Sequence, residues 1–271
     1  MLYFYFAKIS GGFFMKQYIV DAFTDKVFRG NPAAVCVMEK WREDECLRNL
    51  AAENNLSETA FVVKEETGYH LRWFTPAAEV DICGHATLAA AFVILNFYDE
   101  ANGVAFNTRS GELKVVRRGD LYEMDFPAFE LNEIPVTKKM AEAFGALPLK
   151  ALLGKDLICV FENEKIVRRM VPKQDLLQEL AGRIQNATAK GSEFDSVSRS
   201  FAPKLAIPED PVCGSAHCQI ADFWSRELKK QNLVCYQASK RGGELYCSVL
   251  GNGRIKISGK AALFAISELK I

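Results

Sequence analysis

Two short stretches concentrate the residues best suited to chemistry: DICGHATLAA at 81–90 and EDPVCGSAHC at 209–218. Both contain Cys-Gly-x-Ala, and the two cysteines, Cys83 and Cys213, stand 130 positions apart. Each Cys-Gly directly precedes a run with helical spacing. The first N–H groups of a helix have no partner within it, and the positive end of the dipole lies there, so an anion is favoured. Gly84 and Gly214 let a ligand come close to the backbone. Two such helix starts facing one cleft would hold a substrate carboxylate between the groups at 83 and 213. A helix N-terminus also lowers a thiol pKa.

The repetition extends upstream. RWFTPAAEVDICGHA, from Arg72, and RSFAPKLAIPEDPVCGSA, from Arg199, share Arg-x-Phe-x-Pro ahead of Cys-Gly-x-Ala, with three residues inserted in the second copy. An internal duplication follows, with two related lobes of strand, turn and central helix. Strand patterns dominate the rest: QYIVDAF, then hairpins over FVVKEETGYHLRWF (turn near Thr67-Gly68), GELKVVRRGDLYEMDF (turn at Gly119-Asp120) and RIKISGKAALFAI (turn near Ser258-Gly259), with GELYCSV between the last two. Helical spacing marks EDECLRNLAAENN, KKMAEAFGA and DLLQELAGRIQ. HATLAAAFVILNFY, residues 85–98, is apolar nearly all round and must be enclosed by protein. SAHCQIADFWSRELKK, residues 215–230, carries Ile220, Phe223, Trp224 and Leu228 on one stripe and predicts a helix buried on one side.

At 271 residues, 49% apolar and 25% charged, the chain suits two modest lobes or one large domain of ordinary globular character. Thirty-four basic residues cancel thirty-four acidic ones, so the footprint expected for nucleic acid or an anionic membrane is missing, and a small neutral or zwitterionic ligand fits better. Eight irregularly spaced cysteines read as thiols of a reducing cytosol. The apolar opening MLYFYFAKISGGFF is shorter than the roughly 20 residues of a membrane span, so residues 1–14 are expected to be an extension outside the fold. Zinc wants four ligands converging tetrahedrally. Of Cys83, His85, Cys213, His217 and Cys218, only Cys213 and His217 share a helix face, so no metal is expected. P-loop and dinucleotide fingerprints are missing.

Four ordered runs, FRGNPAAV, NLSETAFV, FTPAAEVDICGHATLAAAF and EDPVCGSAH, resemble the PhzF family of isomerases, relatives of diaminopimelate epimerase, across residues 16–271. The resemblance implies an α+β diaminopimelate epimerase-like fold with two pseudo-symmetric lobes, each a curved sheet wrapped around a central helix. The expected boundaries are 15–128 and 129–271, with the last strands free to return to the first lobe. It implies proton transfer without metal or organic cofactor, on a small carboxylate-bearing substrate bound between the lobes, in a homodimer; the cysteines give the cytoplasmic expectation. Position by position, Glu58 falls on the family's catalytic carboxylate, and His85, Asp210 and Ser215 match other active-site positions. Gly84, Gly214, Ser215, Cys83 and Cys213 would then contact substrate. Glu58, in a partly dry cleft, is expected to have its pKa raised toward the working pH.

One departure opens a second reading. Cys213 stands where the family motif usually has Thr, in DPxTGS, leaving cysteines where diaminopimelate epimerase carries its two catalytic thiols. A two-thiol racemase or epimerase is therefore an alternative, although His85 and Ser215 replace that enzyme's Asn and Thr. A non-catalytic small-molecule binding protein is another. Each residue also has a plainer role: core thiols for the cysteines, a turn residue before Pro211 for Asp210, a helix N-cap for Ser215.

Overall fold

The computed structural model describes residues 14–271; the expected extension over 1–14 lies outside these residues apart from Phe14, which opens the first strand. The first half of the chain runs β1 (Phe14–Ala22), β2 (Asn31–Met38), α1 (Asp44–Asn54), β3 (Glu58–Lys64), β4 (Tyr69–Phe74), β5 (Glu79–Val80), α2 (Gly84–Phe97), β6 (Gly103–Thr108), β7 (Gly111–Arg118) and β8 (Leu121–Pro127). The second half begins with β9 (Asn132–Ile134), α3 (Lys138–Phe144), β10 (Lys150–Leu153), β11 (Leu157–Val160), α4 (Glu164–Arg169) and α5 (Gln174–Gln178). It continues through β12 (Gln185–Lys190), β13 (Ser196–Ala202), a 3-10 turn at Pro203–Leu205, β14 (Ile207–Asp210), α6 (Gly214–Leu228), β15 (Asn232–Gln237), β16 (Gly243–Val249), β17 (Arg254–Gly259) and β18 (Ala261–Lys270).

The pairing repeats. β2 lies parallel to β3, and β4 parallel to β6, in the first lobe; β11 lies parallel to β12, and β13 parallel to β15, in the second. The two sheets join antiparallel at β8 and β17, with Met124 opposite Ile257 near the middle of the seam. This is the two-lobed arrangement expected from the duplication, with one central helix per lobe, and the diaminopimelate epimerase-like architecture expected from the resemblance. The three inserted residues fall between Pro203, the proline shared by both copies, and Glu209, where a 3-10 turn over Pro203–Leu205 leads into β14.

α2 is buried over nearly its whole length, from His85 through Leu95 apart from Phe92, and packs against β1, β2, β3, β6 and β8. Its alanines, Ala86, Ala89, Ala90 and Ala91, have no exposed surface. Small side chains let a sheet close tightly around a helix. α6 differs from the one-sided helix expected: Ala216 through Trp224 are all buried. Its polar residues tolerate this because each has a partner, as in Gln219 Nε2 to Asp156 (3.0 Å) and Trp224 Nε1 to the Thr188 hydroxyl (2.9 Å).

Two other expectations are corrected. The helix anticipated over DLLQELAGRIQ stops at Gln178, because Gly182 takes φ +75° against Leu157 and Gln185 already opens β12. The residues around Ser258-Gly259 do not turn a hairpin: β17 pairs with β16 and β8, whereas β18 crosses to the first lobe and pairs with β1. A short arginine bracket is duplicated as well. Arg72 grips Glu79 through two hydrogen bonds (2.8 and 2.9 Å) and stacks on Phe74, and Arg199 grips Glu209 (2.7 and 2.8 Å) and stacks on Phe201. Each bracket ties β4 to β5, or β13 to β14, just ahead of a Cys-Gly. Among the described residues no helix is long and apolar enough to cross a membrane.

Candidate active site

The two Cys-Gly steps meet at the seam between the lobes. Cys83 and Cys213 are the N-caps of α2 and α6, each with extended backbone and no side-chain cap. Ser215, anticipated as a cap, is instead the second residue inside α6. A Cβ on Gly84 would lie 4.0 Å from the Gly214 Cα, so the two helix starts face each other at close range. Each N-cap carbonyl is held one turn on: Thr87 Oγ1 donates to the Cys83 carbonyl (2.5 Å), and His217 Nδ1 to that of Cys213 (2.7 Å). The unpaired N–H groups at both helix starts therefore converge on one place suited to an anion.

Glu58 opens β3 and His85 is the second residue of α2; their Oε2 and Nε2 atoms approach to 3.2 Å with both side chains largely buried. The His85 Nδ1 lies 3.5 Å from the Cys83 sulfur and 3.2 Å from Asn31 Nδ2. Asn31, at the start of β2, commits its amide hydrogens to second-lobe acceptors, Asp210 Oδ1 (2.9 Å) and the Val212 carbonyl (3.0 Å). Asp210 also accepts the Val212 N–H (3.1 Å), so its turn role and its place in the cleft coexist. Gln237 completes the set by accepting the Cys213 N–H (2.8 Å) and donating to the Asp210 carbonyl (2.6 Å). Cys213 contacts Ser215 Oγ at 3.4 Å. Asn31 Oδ1, Glu58 Oε2 and His85 Nε2 are buried without an aligned hydrogen bond, leaving donor and acceptor capacity for a ligand.

Electrostatics sort these groups into roles. Burial pushes the Glu58 carboxyl up, but the His85 cation beside it, helped by Cys83, outweighs burial and holds it below its ordinary value. This corrects the expected upward shift: the surroundings favour Glu58 as a carboxylate. Burial opposes charge on His85 too, yet Cys83 and Glu58 raise it well above the usual imidazole range. Burial, with Asp210 adding to it, pushes Cys213 well up; burial and Glu58 raise Cys83. The thiol-lowering effect of the helix starts does not prevail. Burial also raises Asp210.

The ion pair implies a stability window. Glu58, with a lowered folded pKa, contributes stability present above its unfolded value near 4.5 and lost as pH falls through the folded one. His85, with a raised folded pKa, contributes stability present below 6.5 and lost as pH rises through the folded value. Glu58→Gln should therefore lower stability most between these limits, by about 1–2 kcal/mol, with the difference shrinking toward either side. Urea unfolding of both proteins across this range measures it.

The metal set considered from sequence disperses. His217 donates to the Cys213 carbonyl and pairs with Ser198 (3.1 Å), and burial drives it down to about 4, so it stays neutral. Cys218 points to the Gly214 carbonyl. Glu58, Cys83 and His85 do place donor atoms within 4.8 Å of one another, a set that could hold a metal, but the contact within it is a carboxylate–imidazolium pair.

Asn31 and Gln237 escaped assignment from the sequence. Asn31 had a signal, the Gly-Asn-Pro at a strand start; a glutamine ending β15 had none. Glu79 and Glu209 were also legible in principle, since each follows its arginine within the repeated segment. The duplication is chemically unequal: Glu58 opens the strand beside β2, and its counterpart opening the strand beside β11 is Gln185. Gln185 spends its amide on the Ala181 and Gly182 carbonyls. Ser215 stands in place of His85, so the carboxylate–imidazole pair exists in one lobe.

Comparison with known proteins agrees with this geometry. The family model described as phenazine biosynthesis-like protein, PhzC-PhzF, matches residues 20–266. An uncharacterized isomerase of Pseudomonas aeruginosa is 46% identical over 93% of this chain and 97% of its own length. One from Halalkalibacterium halodurans is 40% identical over 93% and 97%. A PhzF family protein of Enterococcus faecalis superposes with TM-score 0.94 at 46% identity, covering 96% of this chain and all (100%) of that one. A probable proline racemase from Agrobacterium radiobacter, at 9% identity, TM-score 0.66 and coverage of 95% and 93%, shares the fold. The chain belongs to the PhzC-PhzF family of phenazine biosynthesis-like proteins, and is an isomerase.

Proposed function

We propose that the protein moves a proton between two carbons of a small carboxylate-bearing substrate held between the lobes, with Glu58 as the single general base and acid. The observation that carries this reading is the Glu58–His85 pair, 3.2 Å apart beside the meeting helix starts and present in one lobe only. The substrate carboxylate sits against the N–H groups around Gly84 and Gly214. Glu58 removes a proton from one carbon, the electron pair shifts into the adjacent unsaturated system, and Glu58 returns the proton at another carbon. His85, positively charged, keeps Glu58 ionised and faces the negative charge that develops. Asp210, bonded to Asn31 (2.9 Å), and Ser215, beside Cys213 (3.4 Å), come to this place from the second lobe. No redox step occurs, and the chemistry is carried by these side chains.

The two-thiol alternative is disfavoured by burial, which raises both cysteines. A thiol held above its ordinary value supplies little thiolate base at neutral pH. The test is deuterium wash-in: protein in deuterium oxide with small amino acids, cyclic amino acids and dihydroaromatic acids, read by mass. One deuterium gained without added cofactor is the expected result. Cys83→Ser and Cys213→Ser should each slow the gain by less than about tenfold, below the 10²-fold and larger effects typical of a catalytic base. A loss above that size in both serine variants would move the base to the thiols.

A further inference from the structure

The segment from Phe23 to Gly30, which joins β1 to β2, is held by the other lobe. Glu244 donates its N–H to the Phe23 carbonyl (3.0 Å), and Gly30 donates its own to the Gly242 carbonyl (2.7 Å). Arg241, between β15 and β16, closes the latch. Its Nε donates to the Gly30 carbonyl (2.9 Å), and its Nη2 to the Arg29 carbonyl (2.8 Å) and the Asp21 carboxylate (2.6 Å). Asp21 uses its other oxygen to accept the Phe28 N–H (2.8 Å).

The segment needs such restraint. Phe23 and Phe28 are left-handed, with φ of 63° and 70°, a conformation costly for bulky residues unless the surroundings impose it. Gly30, at φ +63°, could not carry a side chain, since a Cβ there would lie 2.1 Å from the Ala22 carbonyl oxygen. The next residue is Asn31, whose amide binds Asp210 and Val212 and packs 3.2 Å from the His85 ring. An arginine of the second lobe thus fixes the two carbonyls immediately ahead of the side chain that seats His85 and Asp210.

We propose that Arg241 is a positioning residue for the isomerisation: it holds the Arg29-Gly30 backbone, and through Asn31 sets His85 against Glu58 across the lobe junction. This rests on the function proposed above. A planar guanidinium reaches three acceptors at once; lysine, a point charge, does not reproduce that fork.

The test exploits the three histidines of the chain, His70, His85 and His217. Proton–nitrogen spectra of the ¹⁵N-histidine-labelled full chain, titrated with pH, report His85 directly, with the other two as internal controls. The charged or titratable groups around the His85 ring are Glu58, Cys83 and Asp210. In Arg241→Met, the His85 midpoint should move by about 0.5 pH unit or more while His70 and His217 hold. Arg241→Lys, which keeps a cation for Asp21 and protects folding, should shift His85 in the same direction. A His85 midpoint unchanged in both variants overturns the proposal. Deuterium wash-in on the same samples separates the two readings: exchange in wild type with an unmoved His85 rejects Arg241 alone. A moved His85 with slowed exchange supports the proposal, and exchange that stays at the wild-type rate despite a moved His85 overturns it.

Discussion

Glu58→Gln should cut proton exchange by about 10³-fold, inside the 10²–10⁴ range typical for loss of a general acid–base group, while leaving the fold and ligand affinity nearly intact. Gln preserves the shape of the side chain and one oxygen, but it can neither take a proton from carbon nor return it. The structure sharpens the expectation. The His85 cation favours Glu58 as a carboxylate, so in the proposed mechanism the side chain starts ready to take a proton. Activity should fall on the acid side as Glu58 protonates. The measurement is the deuterium wash-in rate of wild type and variant with the same substrate, alongside circular dichroism of both. Near-wild-type exchange in a folded Glu58→Gln protein would remove the carboxylate from the mechanism.

Arg199→Ala should destabilise the fold by about 3 kcal/mol, because it strands a largely buried carboxylate and two carbonyls. Arg199 grips Glu209 and also donates to the Met170 carbonyl (2.6 Å) and, more weakly, that of Val167 (3.4 Å). Its side chain is 13% exposed and that of Glu209 22%, which keeps the estimate at the lower end of the range for a broken buried pair. The duplicated bracket supplies an internal comparison. Arg72 binds Glu79 in the same way, but its further partner, Asp44, is 55% exposed. Arg72→Ala should therefore cost less, about 2 kcal/mol. Urea midpoints of the two variants give the order, and a larger loss for Arg72→Ala would show that the carbonyl contacts of Arg199 carry little.

The fold was legible where local spacing decides structure. Thr67-Gly68 and Gly119-Asp120 turn real hairpins, with antiparallel partners on either side, because a glycine able to take positive φ ends one strand where the other begins. The apolar run of α2 announced an enclosed helix, and the repeated Arg-x-Phe-x-Pro ahead of Cys-Gly-x-Ala announced two lobes. The reading failed where the partner lies far away in the chain. Ser258-Gly259 looks like a hairpin turn, yet β17 and β18 diverge because β8 and β1 offer better edges. α6 looks one-sided, yet Asp156, Ser198 and Thr188 receive its polar residues and allow it inside.

By itself the sequence determined the inventory of the site: two helix starts lined by Cys83-Gly84 and Cys213-Gly214, a carboxylate at Glu58, an imidazole at His85, and the duplication that brings the halves together. Residue types and short spacings suffice for that, since helix starts, turns and repeats are local. Only the tertiary structure decided how the groups are charged and which lobe holds the carboxylate–imidazole pair. Glu58 and His85 are 27 positions apart (58 to 85), and their 3.2 Å approach, together with Cys83 beside both, reverses the shift that burial alone would impose on each. Asn31, Gln237 and Arg241 enter for the same reason. Coulomb and hydrogen-bond energies depend on distance and orientation in space, and strand register across the lobe seam sets both.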